Sequence, residues 1–172
     1  MGNDNMDINN VWEEGYVVTP DGNIFLKVKA KRLTPTAQTP TYGSTEAACC
    51  DLYADISENS QIAIPPHTTI KIGTGWAFQP PIGYCGLIFA RSGLATKEAL
   101  RPANCVGVCD NDYTGEYIVP VHNDSNEMKF VRDGERIAQL MFLPNLQAKF
   151  IEVNDLTTTE RGEGGFGSTG KS

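Results

Sequence analysis

An all-β domain is the fold that the sequence predicts. First, its apolar residues come in short runs, at 61–64, 68–74, 83–89, 127–131 and 136–143. Such runs bounded by turn-forming residues read as strands. Second, Gly and Pro punctuate them, with 17 Gly and 10 Pro in 172 residues. Pro65-Pro66 and Pro80-Pro81 have no N–H to give to a ladder, so they must separate strands. Third, no stretch keeps a long helical period. A sandwich, a barrel and a jelly roll all fit this pattern.

The elements follow in order. Residues 1–23 are polar and acidic. Within them Tyr16-Val17-Val18, a turn of Thr, Pro, Asp, Gly and Asn, and then Ile24-Phe25-Leu26 fit a local hairpin or a frayed tail. Residues 24–31 alternate Ile24, Leu26, Val28 and Ala30 with Phe25 and three lysines, which predicts a half-exposed strand. Residues 34–44 are a Thr/Pro/Gly-rich loop. Residues 47–54 read as a buried strand with one acid, Asp51. That carboxylate has two open readings, a holder of a metal-bound water or a structural partner of an arginine.

Arg91-Ser92-Gly93 follows the apolar run 83–89 and opens one or two helical turns, with Ser92 as the cap. Free N–H groups, a hydroxyl and a guanidinium together suit a phosphate chain. Residues 104–121 read as a β-hairpin whose tip carries Asp110, Asp112 and Tyr113. A carboxylate there suits a base acting on water. Gly107 lets a flat ligand approach the backbone. An ordinary solvated turn also fits these residues. Gln139 is a polar residue in an apolar run, and a buried amide needs partners. Residues 146–153 read as a last strand closing the sheet, and 154–160 as a linker. The glycine-rich end holds Arg161 and Phe166, then Gly167 and Ser168, suited to folding over a nucleotide.

The totals bound the function. The length suits one domain with a sizeable core. A net charge of −7 argues against nucleic acid or an anionic membrane as partner. Five cysteines, an odd number without a CxxC spacing, argue for reduced thiols and an intracellular protein, cytoplasmic or nuclear. His67 and His122 lie too far apart in sequence to suggest a metal pair. No apolar stretch is long enough to span a membrane, and no basic-then-apolar leader begins the sequence.

Five segments, in order, resemble the motifs of the trimeric dUTPases (dUTP nucleotidohydrolases). They are residues 47–53, 90–97, 107–116, 134–140 and 161–170. The resemblance covers roughly residues 24–172. It implies a distorted jelly-roll or β-clip domain over 24–155 after an N-terminal extension, 1–23. A flexible arm, 156–172, closes a neighbouring subunit's site in a homotrimer. It also implies hydrolysis of dUTP to dUMP and diphosphate with Mg²⁺.

The resemblance carries residue roles with it. Asp110 polarises the attacking water. Arg91, Ser92 and Gly93 lie against the phosphates, with Gln139 beside the phosphate and metal-water cluster and Asp51 reaching the metal through water. Gly107 and Ile118 offer backbone groups to the uracil edge, helped by Asn104. Tyr113 lies beneath the sugar and leaves no room for a 2′-hydroxyl. Arg161, Phe166, Gly167 and Ser168 belong to the closing arm. Cys49-Cys50 stands where the family has Gly-Tyr, and Cys109 where it has Ile. A dCTP deaminase shares the architecture and is the nearest rival. A nucleotide-sensing trimer and a ligand-free structural protein are the others.

Overall fold

The computed structural model of the protein describes residues 15–56 and 60–165. In chain order the strands are β1 (Tyr16–Val18), β2 (Ile24–Leu26), β3 (Lys29–Arg32), β4 (Thr41–Tyr42), β5 (Cys50–Tyr53), β6 (Gln61–Ile64), β7 (Thr69–Ile72), β8 (Trp76–Gln79) and β9 (Tyr84–Phe89). One short helix, α1 (Ser92–Lys97), precedes β10 (Leu100–Pro102), β11 (Val106–Cys109), β12 (Val119–Asn123), β13 (Lys129–Arg132) and β14 (Arg136–Pro144). The all-β expectation holds.

The main sheet has the strand order β11-β9-β14-β5-β4, and a second has β10-β12-β7. The pairs β13-β6, β3-β8 and β1-β2 surround them, and every ladder is antiparallel. Inward residues interleave to form one core that includes Leu52, Ile64, Ile72, Val119, Val121, Ile137 and Leu140. In β12 the period of two is plain, with Val119, Val121 and Asn123 buried and Pro120 and His122 between them half-buried. In β14 a bulge between Arg136 and Ala138 lets the neighbours Ile137 and Ala138 both face inward.

Asn123 is the fully buried polar residue that ties the second sheet to its surroundings. Its Nδ2 donates to the carbonyls of Ile64 (2.9 Å) and Glu127 (2.7 Å). Its Oδ1 accepts from the backbone N–H (2.9 Å) and hydroxyl (2.7 Å) of Ser125. No buried polar atom of this side chain is left unpaired, as a low-dielectric interior demands.

Several expectations need correction. The strand expected over 24–31 is two strands, because β2 turns back onto β1 while β3 pairs with β8. All four residues of β3 are exposed. The helix cap is Arg91, in extended backbone, and Ser92 is already helical. The segment 104–121 is not a two-stranded ladder. Its first half, β11, pairs with β9, and its second half, β12, pairs with β10 and β7, so it bridges two sheets.

Residues 146–153 form no strand. Leu146, Phe150 and Ile151 there, and Leu156 after them, are strongly exposed. None of the described residues covers their apolar pattern. The hairpin expected at 16–26 is present as β1 and β2. All five cysteines are free thiols. Among the described residues no helix is long and apolar enough to cross a membrane.

Candidate active site

A cavity of about 300 Å³ lies where β11 and the start of β12 face each other. Asn104, Gly107, Tyr113 and Ile118 all line it, together with Ile88, Cys109 and Lys71. Four sequence-predicted residues are thus brought together, although their segment is not the hairpin expected. β11 is the edge strand of its sheet, with β9 on one side only. Its outward N–H and C=O groups are therefore available to a ligand's polar edge. Gly107 keeps that approach open. A Cβ there would lie 3.2 Å from Ile88 Cβ and 3.3 Å from Asn104 Nδ2.

Tyr113 is held in place by its own chain. Its hydroxyl donates to the Glu116 carbonyl at 2.9 Å. Its ring stacks on Tyr117 at 6.2 Å, and Tyr117 meets Phe78 edge-on at 5.0 Å. Tyr117 is buried, and its hydroxyl is the one buried side-chain polar atom, among the described residues, without a hydrogen-bond partner. The Cys109 thiol acts on it electrostatically and as a weak sulfur hydrogen-bond partner outside normal geometry. Burial pushes the Cys109 thiol up to about 11, and burial also pushes the Tyr117 phenol up. Both therefore stay neutral at physiological pH. Asp110 follows β11 in an exposed turn closed by the Tyr113 N–H donating to the Asp110 carbonyl at 3.2 Å.

The phosphate candidates form a second group. In the main sheet Asp51 of β5 stands opposite Gln139 of β14, which stands opposite Phe89 of β9. This row brings Asp51 to Arg91, two residues beyond Phe89. Arg91 Nε donates to Asp51 Oδ1 at 2.8 Å, and Arg136 Nη1 donates to Asp51 Oδ2 at 3.1 Å. Of the two readings of Asp51, the arginine partner is the one seen in this geometry. Arg91 also donates to the Arg136 carbonyl at 3.2 Å. Gln139 Nε2 donates to the Ala90 carbonyl at 3.0 Å, so the amide is paired with backbone. Ser92 and Gly93 are exposed at the start of α1, and no atom stands within 4 Å of the place a Gly93 Cβ would take.

Arg136 and Lys71 had no assigned role in the sequence reading. The signal for Arg136 was present, since an arginine opens one apolar run as Arg91 follows another. Lys71 carried no signal, because only the β7–β12 pairing brings it beside Pro120 and the cavity. Arg161 is exposed, with Nε donating to the Gly164 carbonyl at 2.8 Å. Phe166, Gly167 and Ser168 lie outside the described residues.

The two groups stand apart within one chain. Cys109 opposes Gly86, so the Asp110 turn leaves the sheet at that end of β9. Arg91 lies beyond the other end, five residues from Gly86. At about 3.3 Å per residue the separation along the strand is about 17 Å.

Comparison with known proteins identifies the family. The dUTPase family model matches residues 36–170. The deoxyuridine 5'-triphosphate nucleotidohydrolase of Nautilia profundicola is 44% identical over 146 residues, 85% of this chain and 100% of that protein. The chain belongs to the dUTPase family. The enzyme of the same name from Desulfitobacterium hafniense is 43% identical over 151 residues, covering 87% of this chain and 99% of its own. Among solved structures, the dUTPase of Staphylococcus bacteriophage 80alpha with dUPNHPP is similar, with a TM-score of 0.73 and 26% identity. It covers 84% of this chain and 99% of the phage chain. For a dUTPase-family chain, a base-sized cavity beside an edge strand and an arginine-flanked carboxylate are the features to explain.

Proposed function

We propose that this dUTPase-family chain hydrolyses dUTP to dUMP and diphosphate. The observation that carries the reading is the cavity at β11, with an open strand edge, a tyrosine held at one side and a carboxylate turn beside it. The outward backbone groups around Gly107 and Ile118 pair with the uracil edge, and Asn104 helps hold the base. A thymine methyl would clash in the narrow space beside β11. Cytosine presents a donor where the strand needs an acceptor. Tyr113 packs beneath the sugar and excludes a 2′-hydroxyl.

Asp110 accepts a proton from a water whose oxygen attacks the α-phosphorus. The bond from that phosphorus to the bridging oxygen breaks, and the electron pair leaves with diphosphate. Positioned base catalysis of this type is worth about 10²–10⁴-fold. Arg91, Ser92, Gly93 and Gln139 orient the phosphates. Mg²⁺, when bound, would offset charge developing on the leaving diphosphate. Asp51 fits an indirect role towards it. Each of its oxygens receives one guanidinium N–H, which leaves lone pairs for a bridging water.

The separation of Asp110 from Arg91 along β9 supports a site shared between subunits of a homotrimer. About 17 Å of backbone along the strand lies between the two groups. The exposed apolar residues of 146–156 support the same assembly, because a second chain would cover them. The domain is 24–155, and the arm, 156–172, brings Arg161, Phe166, Gly167 and Ser168 over a neighbour's nucleotide. We place the enzyme inside the cell, in the cytoplasm or nucleus, with neither nucleic acid nor membrane as partner.

The test is release of diphosphate from dUTP, dCTP, dTTP and UTP with and without Mg²⁺. Fast turnover of dUTP alone is expected. Release of ammonia from dCTP, or equal turnover of dUTP and dCTP, refutes the assignment. Sharing is tested by refolding Asp110→Asn together with a chain ending at Thr159. Each parent is expected to be inactive and hybrid trimers active. Demonstrated hybrids without activity refute the shared site.

A further inference from the structure

The loop that carries Tyr113 is fastened to the core through Glu116, and we infer that Glu116 is the positioning residue for sugar selection. This rests on the reading of Tyr113 as the ring beneath the sugar. Glu116 Oε1 accepts the backbone N–H of Gly75 at 2.8 Å. The carboxylate lies over Gly73, where a Cβ would come within 2.5 Å of Oε1. The facing loop is thus bare where the carboxylate docks. Two more bonds align the same segment. Thr74 Oγ1 donates to the Tyr117 carbonyl at 2.7 Å, and the Tyr117 N–H donates to the Trp76 carbonyl at 2.8 Å.

Glu116 acts at both ends of this arrangement. Its side chain binds the core loop, and its carbonyl accepts the Tyr113 hydroxyl at 2.9 Å. Gly115 lies between them, and a Cβ there would stand 2.7 Å from that hydroxyl. The tyrosine ring is therefore pinned by Glu116 on one side and stacked on Tyr117 on the other. A 2′-hydroxyl adds one oxygen to the sugar. A ring free to swing makes room for it, whereas a ring fixed before binding does not. Sugar selection then depends on a carboxylate that touches no substrate.

The experiment compares kcat/KM for UTP and dUTP in the full-length protein and in Glu116→Ala, Glu116→Asp, Glu116→Gln and Gly115→Ala. The ratio of the two substrates cancels the concentration of folded enzyme, so a merely structural defect does not move it. Glu116→Ala is expected to raise UTP relative to dUTP by about tenfold or more. Glu116→Asp, one methylene too short for the Gly75 N–H, should act in the same direction and serves if the alanine variant does not fold. Glu116→Gln keeps an acceptor and should restore the ratio to within about threefold. Gly115→Ala, which pushes the ring away with Glu116 intact, should leak UTP as Glu116→Ala does.

An unchanged ratio in both Glu116→Ala and Glu116→Asp overturns the inference, whatever happens to stability. A glutamine variant as permissive as alanine also overturns it, since the acceptor would then not matter. If Gly115→Ala leaks UTP and Glu116→Ala does not, the ring selects the sugar without Glu116. A native protein that already turns over UTP as well as dUTP removes the reading of Tyr113 itself and the inference with it.

Discussion

Replacing Asp51 by Asn separates its two possible roles. The change preserves size and removes the charge that both arginines share. The carboxamide oxygen still accepts from Arg91 Nε, but its NH₂ then faces Arg136 Nη1, donor against donor. The magnitude follows from exposure, with side chains exposed by 13% at Asp51, 25% at Arg91 and 51% at Arg136. A hydrogen bond to a charged group is worth about 1.5–3 kcal/mol when sheltered, and an exposed ion pair under about 1 kcal/mol. The better-sheltered Arg91 pair dominates, so the cost is about 2 kcal/mol. For a chain of this size that lowers the melting midpoint by about 4–8 °C. A loosened Arg91 should also weaken a non-hydrolysable dUTP analogue about tenfold in calorimetric titrations without metal. A midpoint within about 1 °C of native, unchanged metal-free affinity and a loss confined to the Mg²⁺-dependent rate would show that the arginine contacts are incidental.

Three further outcomes are expected. Burial of Cys50 and Cys109 pushes both thiols up to about 11, so the native state holds protons that the unfolded chain releases from pH 9 upward. Stability should be full below pH 9 and fall as pH rises through 11, by about 2 kcal/mol for buried Cys50 and less for half-buried Cys109. Urea midpoints at pH 8 and 10.5 read this, and a slope unchanged in Cys50→Ala would contradict it. Asn123→Ala strands the carbonyls of Ile64 and Glu127 and should cost about 3 kcal/mol, seen as a lower urea midpoint; a loss under about 1 kcal/mol would mean water replaces the amide. Leu146→Ser with Phe150→Ser should leave each chain folded by circular dichroism but lower the mass found by light scattering. An unchanged mass would place any contact between chains elsewhere.

The local part of the fold was legible where apolar runs lie between turn residues, whereas β4, β8 and β10 carried no such signal. Residues 119–123 keep their inward residues at strand spacing, 84–89 and 136–144 show themselves as apolar runs, and proline pairs mark the joins. Pairing was not legible, since β11 and β12 read as a hairpin yet face different neighbours. A two-residue period states that a strand has a buried face, not which strand lies beside it. The same limit explains residues 146–153. Their apolar pattern is that of a strand, but sequence does not record whether the covering surface belongs to the same chain. Around the cavity, Gly107, Asn104, Tyr113 and Ile118 were identified and do converge. Arg136 went unassigned because its partner Asp51 lies 85 residues away. Lys71 enters only through a ladder with β12.

The ladder order also sets a timetable for the chain. β3 waits for β8, β6 for β13, β7 for β12, and β9 for β14. Among the described residues only β1–β2 and β4–β5 join strands that follow each other, and both lie at the margins of the structure. Loop closure must therefore come before most of the stabilising contacts exist. Domains with such distant pairing fold in milliseconds to seconds, not microseconds. During that interval β9 and β14, the apolar centre of the main sheet, lack each other. Conditions that lengthen the interval, such as cold, dilute denaturant or crowded refolding, should lose product to aggregation before they lose it to instability of the finished fold.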